Sequence, residues 1–142
     1  MALKQVFRYG FITVNGVDLS SSARAATITA SRPEIDVTAF GDAFQAVVGG
    51  IPSATIEVEF FQTYDAAKVD ATHWPLVNSD TTFVVGVRPV NAARSATNPE
   101  YQLAAALLLG DYNPIAGDVG SALMTTVTYT NAGSTGLTRL TA

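Results

Sequence analysis

The chain has 142 residues, of which 48% are apolar and only 14% charged, against a usual charged share of about 25%. Its net charge of −4 excludes a surface built to grip nucleic acid by its phosphates, which needs clustered Lys and Arg, but not nucleic acid that slides past untouched. With no cysteine, disulfides, thiolate metal sites and cysteine nucleophiles are excluded as well.

A surface so poor in charge has two solutions. It is hidden against partners, or it is wetted by Thr, Ser and Asn; both fit this composition. The first ten residues carry Lys4 and Arg8 but no apolar stretch of signal-peptide length. The longest apolar run, residues 103–109, is far short of a membrane span. These features predict a soluble chain with no membrane contact and no export signal of its own.

In chain order, residues 6–14 and 17–19 flank Asn15-Gly16. Asn-Gly between β-prone residues predicts a tight hairpin, because both residues tolerate positive φ. Residues 26–30 alternate as a strand until Pro33, which cannot donate to a ladder. Residues 34–40 resume the alternation, with Ile35 and Val37 on one side and Glu34, Asp36 and Thr38 on the other. Residues 41–53 read as a long loop punctuated by Gly41, Gly49, Gly50 and Pro52, yet they carry Phe44, Val47, Val48 and Ile51. A loop with such groups either tucks onto its own core or buries itself in a neighbour.

Residues 55–62 give the clearest strand: Ile56, Val58 and Phe60 on one face, Thr55, Glu57, Glu59 and Phe61 on the other. Residues 65–74 are the one helix candidate, with Asp65 as cap and Pro75 as stop. Residues 81–89 form a β-branched strand and 91–99 a polar loop. Residues 101–109 read as an apolar strand whose alanines and leucines also permit a helix. Residues 112–120 form a turn-rich link, residues 123–130 a Thr-rich strand, and the rest a polar tail. Seven or eight strands and one short helix, without a 20–50-residue repeat or linker, predict a single mainly β domain over residues 1–142, a sandwich or open barrel.

No chemistry-bearing motif emerges. There is no phosphate-binding glycine loop, and Gly117-Asp118-Val119-Gly120-Ser121 places its serine wrongly for a nucleophile elbow. His73 is the sole histidine; a catalytic triad needs one, but its place beside Trp74-Pro75 favours a structural role. No second His or Cys is present to help it hold a metal. The carboxyl pairs Glu57/Glu59 and Glu34/Asp36 invite comparison with glycosidases, but such pairs face each other across a cleft. An acidic strand face is the simpler account. Trp74 reads as a core plug closing the helix rather than a binding platform. The residues therefore point to no enzyme, no cofactor and no metal.

Five segments taken together carry a family resemblance: VNGVDLS at 14–20, PEIDVTAFGD at 33–42, VDATHWPL at 69–76, RPVNAARSATNPEYQL at 88–103 and YNPIAGDVG at 112–120. In order and spacing they resemble major tail tube proteins of siphophages, long non-contractile-tailed bacteriophages, especially those infecting actinobacteria. Residues 103–109 depart from that pattern in being more aliphatic than its usual Thr/Ser-rich strand.

The resemblance implies a tail-tube fold, a β-sandwich or half-barrel flanked by one short helix, with homohexameric rings stacked into a tube, and residence in the virion tail after assembly in the host cytoplasm. It implies as partners a tape measure protein in the lumen before DNA, and tail terminator and distal tail proteins at the ends. DNA would pass without specific binding. The physics agrees: an eight-stranded barrel is filled by its own side chains, whereas six copies giving about four strands each make about 24, enough for a wide pore. A DNA channel wall should be neutral or acidic, so Glu57 and Glu59, then Glu34 and Asp36, are candidates to face the lumen. Phe44, Val47, Val48 and Ile51 are candidates for contact between subunits. The rival readings are a capsid decoration or cement protein, a carbohydrate-binding β-sandwich module and a small hydrolase.

Overall fold

A computed structural model describes residues 6–7 and 9–142. Lys4 and Arg8 lie outside the described residues. The chain is mainly β. Its strands are β1 (Phe11–Val14), β2 (Val17–Asp18), β3 (Ala23–Ser31), β4 (Glu34–Asp36), β5 (Val47–Gly49), β6 (Ser53–Phe61), β7 (Phe83–Arg88), β8 (Glu100–Leu108), β9 (Met124–Asn131) and β10 (Leu137–Leu140). One helix, α1 (Val69–His73), runs into a 3-10 turn, Trp74–Leu76.

Asn15 and Gly16 take φ of 50° and 80°, and β1 and β2 pair around them with Val14 opposite Val17. That is the tight hairpin the Asn-Gly signal predicts. Eight strands form one antiparallel sheet in the order β2-β1-β7-β8-β9-β6-β3, and β10 adds to the first half of β8. The β7–β8 ladder shifts register between Phe83 and Val85, which pair with Ala106 and Leu103, so β8 carries one extra residue there. This bulge lets Leu103, Ala106 and Leu108 all reach the core although their spacing is not strictly alternate. The aliphatic run at 103–109 is thus a strand.

The sheet is curled. β3 and β7 stand four places apart, about 19 Å if the sheet were flat, yet Ala26 and Ile28 of β3 line one groove with Val87 of β7. Inside the curl lie Ile12 and Val14, Val85 and Val87, Leu103, Val127 and Tyr129, and Ile56, Val58 and Phe60, all buried. Each such side chain contributes on the order of 1.5–3 kcal/mol by leaving water.

α1 closes one end of the curl with Val69 and His73, both fully buried. It starts later than residue 65. Asp65 uses its carbonyl to accept from Lys68 N in a preceding turn, and the N-cap residue, Lys68, makes no side-chain capping bond. Instead Thr63 takes the first amides: its Oγ1 accepts from Val69 N at 3.4 Å and its carbonyl from Asp70 N at 3.0 Å. Two other expectations fail locally. Residues 41–53 are not all loop, since β5 forms there and pairs with β4. The polar tail contains β10.

Candidate functional site

Among the described residues, four regions hold the chemically notable side chains: the outer face of the β3–β6–β9 sheet, the β4–β5 hairpin, the polar cluster around His73 and a buried ionic cluster around Glu100.

On the outer face, Glu57 sits between Thr27 of β3 and Thr128 of β9, and Glu59 between Ala25 and Thr126. Thr29, Thr55 and Thr130 form the next row. Strand alternation puts these residues opposite the buried Ile56, Val58 and Phe60. Glu59 is partnered by Arg24 at 3.5 Å, an exposed pair that contributes little to stability. The result is a hydroxyl-rich face with a small acidic excess.

Glu34 and Asp36 are elsewhere, on β4 in a separate two-stranded sheet. The four carboxylates therefore do not share one ladder. Asp36 is committed locally. Its Oδ1 accepts from the Thr38 hydroxyl at 2.5 Å and the Thr38 amide at 2.9 Å, and these bonds hold its pKa below the ordinary value.

The hairpin itself has no second layer. Residues 33–49 are exposed apart from Ala46, which is half-buried. Phe44 and Ile51 are each 87% exposed, Val47 and Val48 nearly half, and Phe40, at the tip, fully. Phe44, Val47, Val48 and Ile51 are thus outside the chain's own core. Polar bonds nevertheless shape the hairpin: Val37 N donates to Ala46 O at 2.9 Å, and Asp42 Oδ2 accepts from Ala39 N at 2.7 Å. Its base is fixed by Pro33 and Gly50, joined by a 2.7 Å bond from Gly50 N to Pro33 O; a Cβ on Gly50 would sit 2.7 Å from the proline ring. Sequence reading missed Phe40, Ile35 and Val37 as members of this surface, although the alternation across 34–40 was an available signal for Ile35 and Val37.

His73 is structural. Nδ1 lies 2.7 Å from the Val69 carbonyl, which only accepts, so Nδ1 carries the proton and Nε2 accepts from the Tyr129 hydroxyl. The ring stacks on Tyr112 and Tyr129 at centroid distances of 5.7 and 5.8 Å. Burial lowers its pKa; a bond to Val69 O and the charge of Asp70 oppose this in part. Asp70 is engaged by Tyr112, whose hydroxyl donates to Oδ1 at 2.9 Å, and burial pushes the Tyr112 pKa up to about 12. Burial also raises the Tyr129 pKa well above its ordinary value. No serine, threonine or cysteine nucleophile hydrogen-bonds to His73 among the described residues. Trp74 departs from expectation: it is 62% exposed, because the 3-10 turn aims it outward while Leu76 takes the buried place.

One buried ionic cluster was not foreseen. Glu100 is buried between Arg94, 2.7 Å away, and Arg88, 3.6 Å away. Both are close enough to pair as ions without hydrogen bonding, Arg88 because it is too far and Arg94 because it is misaligned. Arg88 also lies 3.9 Å over the Phe11 ring. Asn98 organises the loop between β7 and β8, accepting from Val90 N and donating to the carbonyls of Val90, Ala92 and Ala93. Asn98 was read only as part of a polar loop, and Glu100 fell between that loop and the strand expected from residue 101. Nothing local marks them as buried.

No group of His, Asp and Glu suited to a metal occurs among the described residues. No described helix is long and apolar enough to cross a membrane.

No protein-family model and no curated protein matches the chain. Solved structures do. A chain in the tail of an empty gene transfer agent particle, determined with C6 symmetry, is similar over 85% of this chain and 83% of its own, with a TM-score of 0.63 at 20% identity. The virion of the native gene transfer agent particle contains a chain similar over 83% and 84%, with a TM-score of 0.63 at 17% identity. A chain of the sheath–tube complex of an extracellular contractile injection system, in its extended state, matches over 98% and 93%, with a TM-score of 0.66 at 9% identity. The chain shares their fold. At these identities the likeness is one of fold.

Proposed function

We propose that residues 1–142 form one tail tube domain, a structural, non-enzymatic subunit of a phage-type tail. Six copies make a ring, and rings stack into the tube that conducts DNA. The observation that carries this reading is the shared fold with a chain from a tail of C6 symmetry, which spans 85% of this chain. The siphophage resemblance in the sequence supports the non-contractile form.

In this reading β3, β6, β9 and the second half of β8 supply about four strands per copy, and six copies close a barrel of about 24 strands. The outer face then lines the lumen. Thr hydroxyls hold water there, and Glu57 and Glu59 repel phosphates weakly over about 8–10 Å. Lysines in their place would release counterions from DNA and retain it. Glu34 and Asp36 lie with the hairpin, so they belong to the side where subunits meet, with Phe44, Val47, Val48 and Ile51. The remaining partners follow from the same role: a tape measure protein in the lumen before DNA, and tail terminator and distal tail proteins at the two ends. The subunit assembles in the host cytoplasm and resides in the virion tail.

Electron microscopy of the purified protein across a concentration series tests this. Six-fold rings or tubes are the expected result, whereas sedimentation showing monomer at every concentration, with or without tape measure protein, overturns it. For the lumen, Glu57→Lys with Glu59→Lys should leave tubes intact and impair DNA ejection. Normal ejection, or imaging that places these side chains on the outside of the tube, rejects the assignment.

A further inference from the structure

Two surface features complement each other. The first is the apolar tip of the β4–β5 hairpin. The second is a groove of about 290 Å³ lined by Phe7, Ala26, Ile28, Val87, Pro89 and Tyr101. The groove marks the seam where the curled sheet does not close. Ala26 and Ile28 belong to the edge strand β3, and Val87 and Tyr101 to β7 and β8 on the far side.

Size and charge both point to the hairpin as the occupant. An apolar cavity of about 150 Å³ holds a benzene molecule, so the groove has room for about two phenyl rings. The hairpin tip offers two, Phe40 and Phe44, and their exposure shows that neither lies in the groove of its own copy. The hairpin also carries Glu34, Asp36 and Asp42, while its one cation, Arg32, is turned onto the Gly49 and Gly50 carbonyls. At Phe7 the groove adjoins a larger hollow of about 500 Å³ whose lining includes Lys68 and also Arg24, which is shared with Glu59; its one carboxylate, Asp18, is engaged by Ser20. An acidic apolar knob thus faces an apolar groove with a basic flank. A free two-stranded hairpin is marginal in water, so a surface that gives this one a second layer stabilises both.

We propose that the β4–β5 hairpin of one copy seats Phe40 and Phe44 in the seam groove of the next copy. This rests on the self-association proposed above and names the two surfaces that meet. Because they are different surfaces, the contact is head-to-tail: every joined pair leaves one hairpin and one groove free, so it repeats until a ring closes or a filament grows.

The test uses that asymmetry. Phe40→Ser with Phe44→Ser disables the hairpin, and Ala26→Arg blocks the groove. Sedimentation velocity should find each variant alone monomeric, and an equal mixture should give a one-to-one dimer, the intact hairpin of one variant entering the intact groove of the other. A mixture that stays monomeric, or a variant that polymerises like the unmodified chain, overturns the proposal. If Ala26→Arg fails to fold, crosslinking decides instead. The chain has no cysteine, so Phe44→Cys mixed with Ile28→Cys or Tyr101→Cys should give an oxidation-dependent dimer on gels, and absence of crosslink with both overturns the proposal. The two readings separate cleanly. Mixed dimers without tubes from the unmodified chain preserve the docking and reject the tail tube; tubes without crosslinks do the reverse.

Discussion

The β3–β6 pair and the β4–β5 hairpin are one continuous ribbon, broken at Pro33 and Gly50. Both halves are antiparallel ladders, and one strand of each, β6 and β4, alternates apolar and polar residues. In β6, Ile56, Val58 and Phe60 are completely buried; in the hairpin, Ile35, Val37 and Val48 are each about half exposed. The ladders do not differ in kind. What differs is the layer beneath them: β6 lies over the inner faces of β1, β7 and β8 in the curl, and the hairpin lies over nothing within the chain. Alternation settles which side chains share a face, and the fold settles whether that face meets protein or water.

Substitution should separate the two halves sharply. Phe60→Ala removes a fully buried ring from the core and should lower unfolding stability by about 3–5 kcal/mol, measured by urea titration. A loss near zero would mean that the curled core does not hold the fold together.

A smaller effect is expected where α1 meets the core. Tyr129→Phe keeps the ring packing but leaves His73 Nε2 buried without a donor, which should cost about 1–3 kcal/mol. A neutral substitution would show that the hydroxyl bond is dispensable. The same contact predicts a pH dependence. The unfolded chain protonates His73 near its ordinary value of 6.5, while burial keeps the folded form neutral to lower pH. Below that value the unfolded state binds more protons, so stability present at neutral pH is lost as pH falls through about 6.5. Tyr112 and Tyr129 do not titrate in that window, because burial raises both. Thermal midpoints should therefore drop between about pH 7.5 and 5.5, and His73→Gln should flatten that slope; an unchanged slope assigns it to other groups.

The least effect on monomer stability belongs to the hairpin. Phe44→Ser with Val48→Ser should leave unfolding of the monomer within about 0.5 kcal/mol of the unmodified chain while abolishing assembly. A destabilised monomer would show that these residues belong to the chain's own core after all, and would erase the contrast with β6.

Much of the fold is legible in the residues because the signals are local. Asn15-Gly16 dictates its turn through backbone sterics, Pro33 breaks the ladder wherever it falls, and the period of two in residues 55–62 assigns Ile56, Val58 and Phe60 to one face and Glu57 and Glu59 to the other. The absence of metal and nucleophile motifs could likewise be read directly from the residue types. Other features depend on what the chain brings together from afar. Helix α1 begins at Val69 because Thr63, not Asp65, receives its first amides. Trp74 is exposed because Leu76 fills the place behind the 3-10 turn. β5 forms because Val47 and Val48 meet β4, and β10 because a polar tail finds the free side of β8. The buried Glu100 between two arginines and the burial of His73 against Tyr129 join residues far apart in sequence. The seam groove exists only because the sheet curls far enough to bring β3 near β7 without closing. Local sterics and periodicity determined the strands and their faces; burial, and with it the division between core and assembly surface, was decided by which faces the curled sheet could cover.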